Sequence, residues 1–191
     1  MNAGRDITLP VVDEIAKCLE EHKLIIGTGG GARSRHVLSI AINIGMRTGV
    51  LAELAQADAL GNAHILGTLL VPYGVVAIPP KVGSIPPHRT DAGSLLLSEC
   101  FGCKRLTLVT DVDGLYDKDP NKNSGATFID EISVSDVKKR GFETLPFEPI
   151  LLDILPNGRL IKEFQIVNGA EPGRITAALN GEHVGTIVHA H

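Results

Sequence analysis

Apolar and polar positions recur along this chain with two periods, and the switches between them mark its elements. Over residues 10–22, Val12, Ile15, Ala16 and Leu19 fall at helical spacing, with Pro10 placed in the first turn, where its missing N–H is tolerated. The short apolar run "KLII" then predicts a buried strand. "ARSRHVLSIAINIG" predicts a helix closed by Gly45, and "LAELAQADALGNAHILGTLLV" a second, longer one. "GVVAI" predicts a strand, whereas the four prolines of "IPPKVGSIPPHRTD" predict an irregular segment, because each removes a donor and restricts the residue before it. Thr90-Asp91 is a cap pair for a helix running to Gly102, followed by the strand "RLTLVT" and the turn-rich "DVDGLYDKDPNKNSGA". "SVSDVKKRGF" predicts a short helix capped by Ser133 or Ser135, and "PILLDILPNG" another. "FQIVN" predicts a strand, "PGRITAALNG" a helix between Pro172 and Gly181, and "GTIVHAH" a last strand.

Strands alternating with helices predict an α/β fold, a three-layer sandwich around a largely parallel sheet, in a single domain over residues 1–191. Composition agrees: 43% of residues are hydrophobic but only 4% aromatic, which suits parallel strands covered by helices better than a β-sandwich. The 18 basic and 22 acidic residues are dispersed, giving a net charge of −4 and no basic footprint for nucleic acid, so a small molecule or another protein is the expected partner. No apolar run reaches the roughly 18 residues of a membrane span, and three cysteines with no apolar leader at Met1 point to a reducing cytoplasm. Cys100 and Cys103 form a C-x-x-C pair; without a second pair they read as small buried hydrophobes at a helix end, with a redox or metal role as the alternative.

Two stretches carry candidate chemistry. "LIIGTGGGARSRH" places four glycines within five residues between a predicted strand and a helix. Such a turn aims free N–H groups and a helix dipole at an anion, and glycine lets the anion approach without a Cβ. Gly27, Gly29 and Ala32 satisfy G-x-G-x-x-[GA], and no G-K-[ST] follows, so a Walker loop is excluded. The structural alternative is a turn bare only for tight packing. Arg33 and Arg35 favour the anion, since positive charge in a first helical turn opposes the dipole unless something compensates it. The second stretch, "LVTDVDGLYDKDP", offers hydroxyl, carboxylate and aromatic groups for a ribose and base or a hydrated metal ion; alone, it is equally a solvated acidic loop.

Taken in order, the glycine turn, Thr90-Asp91, "TDVDGLYDKDP", "LLD" and "VNGAEPGRITAALNGEHVGTIV" resemble the amino acid kinase superfamily, particularly its uridylate kinase branch. With "GNAHILGTLL", "IPPHRTDAG" and "GEHVGTIV" included, the set is most similar to the branch that stores molybdenum, and the resemblance covers nearly the whole chain. It implies an ATP site. Gly29, Gly31 and Arg35 match positions at the nucleotide phosphates, and Thr110, Asp113, Gly114, Tyr116 and Asp119 match the loop around the adenosine. Gly30, Asp58 and Thr90 match acceptor-side positions, with Asp58 facing a ribose hydroxyl, and Asp153 matches the carboxylate that organises charge around a transferred phosphoryl group.

The same resemblance implies two activities. One is storage: ATP and Mg²⁺ bound, molybdate or tungstate gathered as oxide clusters in a cage of related subunits, a hexamer of identical or mixed chains, with ATP hydrolysis linked to loading. The other is transfer of phosphate from ATP to UMP, and a third reading is a silent subunit that binds nucleotide or only its sister chains. His36, His64 and His88 fall in the matching segments and suit a metal or oxyanion cargo, while His183, His189 and His191 are expected to reach solvent. Against the family pattern, the chain is expected to lack a first glycine-bearing strand and part of the middle between "VVAI" and "GSIPPHR". Asp111 also stands where uridylate kinases often carry a lysine.

Overall fold

The computed structural model describes residues 3–70, 72, 90–120 and 122–191. In chain order the elements are α1 (Ala3–Cys18), α2 (Gly31–Asn43), α3 (Thr48–Leu70), α4 (Thr90–Phe101), β1 (Thr107–Thr110), β2 (Leu115–Tyr116), β3 (Phe128–Ile129), β4 (Glu131–Ser133), α5 (Val134–Arg140), α6 (Leu151–Ile154), β5 (Glu163–Asn168), α7 (Arg174–Asn180) and β6 (Thr186–His189). Their contacts fall into two units, Met1–His22 with Ser98–His191, and Lys23–Leu97. No helix among the described residues is long and apolar enough to cross a membrane.

The first unit is an α/β sheet in the order β1-β5-β6-β4. β1 runs parallel to β5 and β4 parallel to β6, while β5 and β6 are antiparallel. Period-two burial places Phe164, Ile166 and Val188 in the core, where the Phe164 ring meets Phe147 edge-on at 5.1 Å. Helix α7 packs on β5 and β1, and α1 packs on α7. There Glu14 accepts from the Gly173 and Thr176 backbone N–H groups and from the Thr176 hydroxyl. The expected cap is Ser133, whose hydroxyl accepts from Asp136 N at 3.1 Å, and Gly141 ends α5 in a left-handed turn at φ +60°. The Glu99 carboxylate gathers the backbone N–H groups of Arg159, Leu160 and Ile161; foremost the bond from Ile161 holds its pKa below the usual carboxylate value.

The second unit pairs α2 with α3, with small residues Ala41, Ala59 and Ala63 buried. Gly45, at φ +75°, reverses the chain after α2 as expected, and Met46 N donates back to Ala41 O.

Three expectations are corrected here. Residues 23–30 form no strand: Lys23 and Ile25 are exposed, and the segment has no ladder partner among the described residues. The strand expected at "GVVAI" and the irregular segment after it lie outside those residues, apart from the start of α4. Pro10 is not in a first turn, because α1 begins at Ala3 and carries Pro10 inside. "AGRDITL" has no apolar periodicity to announce that extension, and the interior proline forfeits one backbone bond. Of the cysteines only Cys18 is buried; Cys100 is exposed and Cys103 half-buried, since α4 ends with that side toward solvent.

Candidate functional site

In the sheet unit, β1 and β5 end side by side, with Thr110 opposite Asn168 in parallel register. The carboxyl ends of parallel strands are where α/β folds bind ligands. Both strand ends feed polar turns. Thr110 Oγ1 donates to Val112 O at 3.0 Å, and Gly169 N donates to Thr110 O at 2.9 Å, so the turn after β1 is fixed from within. Asn168 Nδ2 donates to Asp113 Oδ1 at 2.8 Å, and Tyr116 Oη donates to Asp113 Oδ2 at 3.4 Å. Partial burial first, and then the Asp113 carboxylate, push the Tyr116 phenol above its ordinary pKa. The Tyr116 ring meets Phe128 edge-on at 5.3 Å across the β2–β3 hairpin.

That hairpin is pinned to the sheet by Thr186, which is fully buried. Its hydroxyl accepts from Leu115 N at 2.8 Å and donates to Ile129 O at 2.6 Å. Gly114 sits at φ +151°, and a Cβ there would strike the Thr186 hydroxyl and the Phe128 ring, so the position admits only glycine. The result is a cavity of about 530 Å³ lined by Asp113, Tyr116, Phe128, Asp130, Arg174, His183 and Gly185. His183 Nε2 donates to Asp130 O at 3.0 Å, whereas the Arg174 guanidinium has no partner among the described residues.

In the second unit, the glycine turn leads into α2 with no side-chain cap and no acidic residue in the first turn, leaving N–H groups open at the helix start. Gly31 lies at φ +66°, and a Cβ at Gly30 would run into the Ser34 side chain. The turn is held by Asn62 Nδ2, which donates to Gly29 O at 2.5 Å, and by Thr28 Oγ1, which donates to Ala59 O at 3.0 Å. Gly29 lies against the Thr90 hydroxyl, and Gly30 against Asp58. Arg33 Nε donates to Asp58 Oδ1 at 2.6 Å, and Asp58 Oδ2 is buried with no partner among the described residues. Arg35 is exposed and has no partner among the described residues.

Residues 57–162 match the amino acid kinase family. Over 221 aligned positions the chain is 41% identical to the molybdenum storage protein subunit beta of Azotobacter vinelandii, covering 100% of this chain and 82% of that protein. The chain belongs to the amino acid kinase family. Those aligned positions outnumber the 191 residues here, so the Azotobacter subunit has residues without a counterpart in this chain. The uridylate kinase of Methanobrevibacter smithii is 31% identical, over 92% of this chain and 88% of that one. The fold matches the uridylate kinase of Archaeoglobus fulgidus with a TM-score of 0.77 at 21% identity, over 98% of this chain and 94% of that one.

Of the expected residues, Asp113 and Tyr116 line the cavity while Thr110 and Gly114 do not, and Gly29, Gly30, Asp58 and Thr90 come together around the glycine turn. Asp119 instead pairs with Lys122 at 3.2 Å. Asp153 is bonded to Lys138 Nζ at 2.7 Å on an exposed face and does not line the cavity. His36 and His64 are exposed on α2 and α3, His88 lies outside the described residues, and no group of three metal-ligating side chains occurs among those that are described. His189 is less open to solvent than expected: half-buried on β6, it stands between Glu131 at 2.5 Å and Glu163 at 3.2 Å. Sequence reasoning missed Phe128, Asp130, Arg174 and His183. The signal for Arg174 was available, since an arginine opening a helix right after Pro172-Gly173 repeats the argument made for Arg33 and Arg35.

Proposed function

We propose that this member of the amino acid kinase family is a nucleotide-binding subunit that stores molybdate or tungstate as oxide clusters. The observation that carries the reading is the identity of 41% to a molybdenum storage subunit along the entire chain. The cavity fits the base and ribose of ATP. Its volume is in the range of small-ligand sites, the edge-on Tyr116 and Phe128 rings give an apolar wall, and Asp113 accepts hydroxyl hydrogen bonds. Arg174 and His183 supply donors. The glycine turn fits an anion, its open N–H groups and Arg35 answering the oxygens of a phosphate or a metal oxyanion. Mg²⁺ bound with the phosphates supplies charge neutralisation. The subunit works in a cage of related chains, a hexamer of identical or mixed subunits.

Protein incubated with ATP, Mg²⁺ and molybdate, then passed through gel filtration, is expected to retain molybdenum in its own peak by elemental analysis. A peak without molybdenum overturns storage. Asp58 supports a second reading, a UMP kinase: its buried Oδ2, without a partner among the described residues, fits a ribose hydroxyl donor. ADP release strongly stimulated by UMP, with no molybdenum retained, would decide for transfer.

A further inference from the structure

Helix α7 lacks the local groups that begin a helix. Its N-cap is Gly173, at φ +84° and with no side chain to cap the first turn, and no acidic residue stands in that turn, although its first residue is the cation Arg174. Positive charge there adds to the helix dipole instead of opposing it. The missing acceptor comes from α1, 162 residues away in sequence. Glu14 Oε2 accepts from Gly173 N at 3.1 Å, and Oε1 accepts from Thr176 N at 2.8 Å and from the Thr176 hydroxyl at 3.0 Å. Thr176 is the third residue of the helix, and its N–H is one that a capping side chain ordinarily takes. The half-buried Glu14 makes no ion pair with Arg174, whose guanidinium stays available at the cavity.

The contact continues along both helices. Cys18 Sγ lies 3.4 Å from Thr176 Oγ1 and His22 Nε2 lies 2.9 Å from Asn180 Oδ1, so residues four apart on α1 and its following turn meet α7 in ascending order. At the far end the Arg105 guanidinium lies over Gly181, a cation at the negative end of the dipole. Both ends of α7 adjoin the cavity wall: Arg174 is its first residue, and His183 and Gly185 follow shortly after its last. We infer that Glu14 is a positioning residue for nucleotide binding, which caps α7 from α1 and so fixes the Arg174 guanidinium at the cavity. The inference rests on the reading of that cavity as the nucleotide site. Without the carboxylate, two backbone N–H groups and a hydroxyl lose their acceptor beside an uncompensated cation, the first turn of α7 frays, and Arg174 loses its fixed place. A role confined to stability would weaken binding whether or not Arg174 is present. A positioning role acts only while Arg174 is there to be positioned.

Calorimetric titration of the full chain with ATP·Mg²⁺ tests this in a double-mutant cycle. Arg174→Ala is expected to weaken binding about tenfold or more, the loss of a charged donor. Glu14→Ala should weaken it about fivefold, the loss of preorganisation alone. The double variant Glu14→Ala with Arg174→Ala is expected to bind within about twofold of Arg174→Ala. Far-ultraviolet circular dichroism checks the fold of each variant. Where Glu14→Ala does not fold, Glu14→Gln, which keeps one acceptor oxygen for Thr176 N, runs the same cycle with a fall of about threefold. Undiminished binding by the Glu14 variant beside a weakened Arg174→Ala overturns the positioning role, and so does a double variant weaker than Arg174→Ala by the whole Glu14 factor. A wild type that does not bind ATP·Mg²⁺, or an Arg174→Ala variant that binds as tightly as the wild type, instead overturns the nucleotide reading of the cavity, and the inference with it.

Discussion

The two constellations differ in how completely they satisfy themselves. In the hairpin and turn beside the cavity the polar groups are bonded internally, while Arg174 and the Asp130 carboxylate at the cavity have no side-chain partner among the described residues. Asp113 is held by Asn168 and Tyr116, Thr186 closes the hairpin through two buried bonds, and Gly114 removes the one atom that would not fit. Around the glycine turn the account stays open. Among the described residues Arg35 is unpaired, α2 begins without a side-chain cap, and Asp58 keeps one buried oxygen without a partner. A fully bonded site is preorganised and exists for its shape; a site with unanswered donors and acceptors is complete only with its ligand. The hairpin therefore behaves as scaffold, and under the proposed function the unanswered groups, Arg35 at the glycine turn and Arg174 at the cavity, are the ones that meet a ligand.

The strongest way to break that comparison is Thr186→Val. It leaves the Leu115 N–H and the Ile129 carbonyl buried without partners, so unfolding in urea should reveal a loss of about 2–4 kcal/mol. A loss under about 1 kcal/mol would mean that the hairpin is held elsewhere.

Arg35→Ala should behave oppositely, leaving the urea midpoint unchanged while lowering affinity for ATP·Mg²⁺ roughly 10- to 100-fold by calorimetry, the range of a lost charge-assisted contact. Equal affinity in the variant and the wild type would remove the anion from the glycine turn.

Arg33→Ala sharpens the contrast within the turn. Because the Arg33 side chain is 57% exposed, the pair with Asp58 is largely screened, and stability should change by no more than about 1 kcal/mol. The freed Asp58 would then be read out by UMP binding, which should strengthen if the acceptor reading holds.

The smallest effect is a pH dependence confined to the sheet unit. Glu99 is held below its ordinary pKa by backbone donors, so its contribution is fully present above the unfolded carboxylate value, near 4.3, and is lost as pH falls through the lower folded value. Glu99→Gln should flatten the acid limb of the stability curve and change little in its shape above about pH 5; an unchanged acid limb would mean that the three N–H groups find other partners.

The candidate site was partly legible because glycine, proline and carboxylate patterns act over a few residues. The turn at residues 27–31, the Asp113–Tyr116 turn, the Ser133 cap and the Gly45 and Gly181 terminators are local events, set by φ preferences and short hydrogen bonds, and a linear reading reaches them. Phe128, Asp130 and His183 were not legible. They reach the cavity only through the β2–β3 pairing and the neighbouring turn before β6, and nothing within several residues of them in sequence distinguishes them from ordinary hairpin and loop residues. His189 was misread for the same reason: an imidazole near a chain end looks solvent-bound until two neighbouring strands bring Glu131 and Glu163 to it.

By itself, then, the sequence determined most helices, the strands of the sheet unit, the two turns offered as candidate chemistry and the family to which the chain belongs, because these rest on short-range preferences and on the order of motifs. Tertiary structure alone decided which charges are answered and which are left open: Arg33 is taken by Asp58, while Arg35 and Arg174 have no partner among the described residues. Pairing depends on distances between residues far apart in the chain, and those distances are fixed only when the core packs.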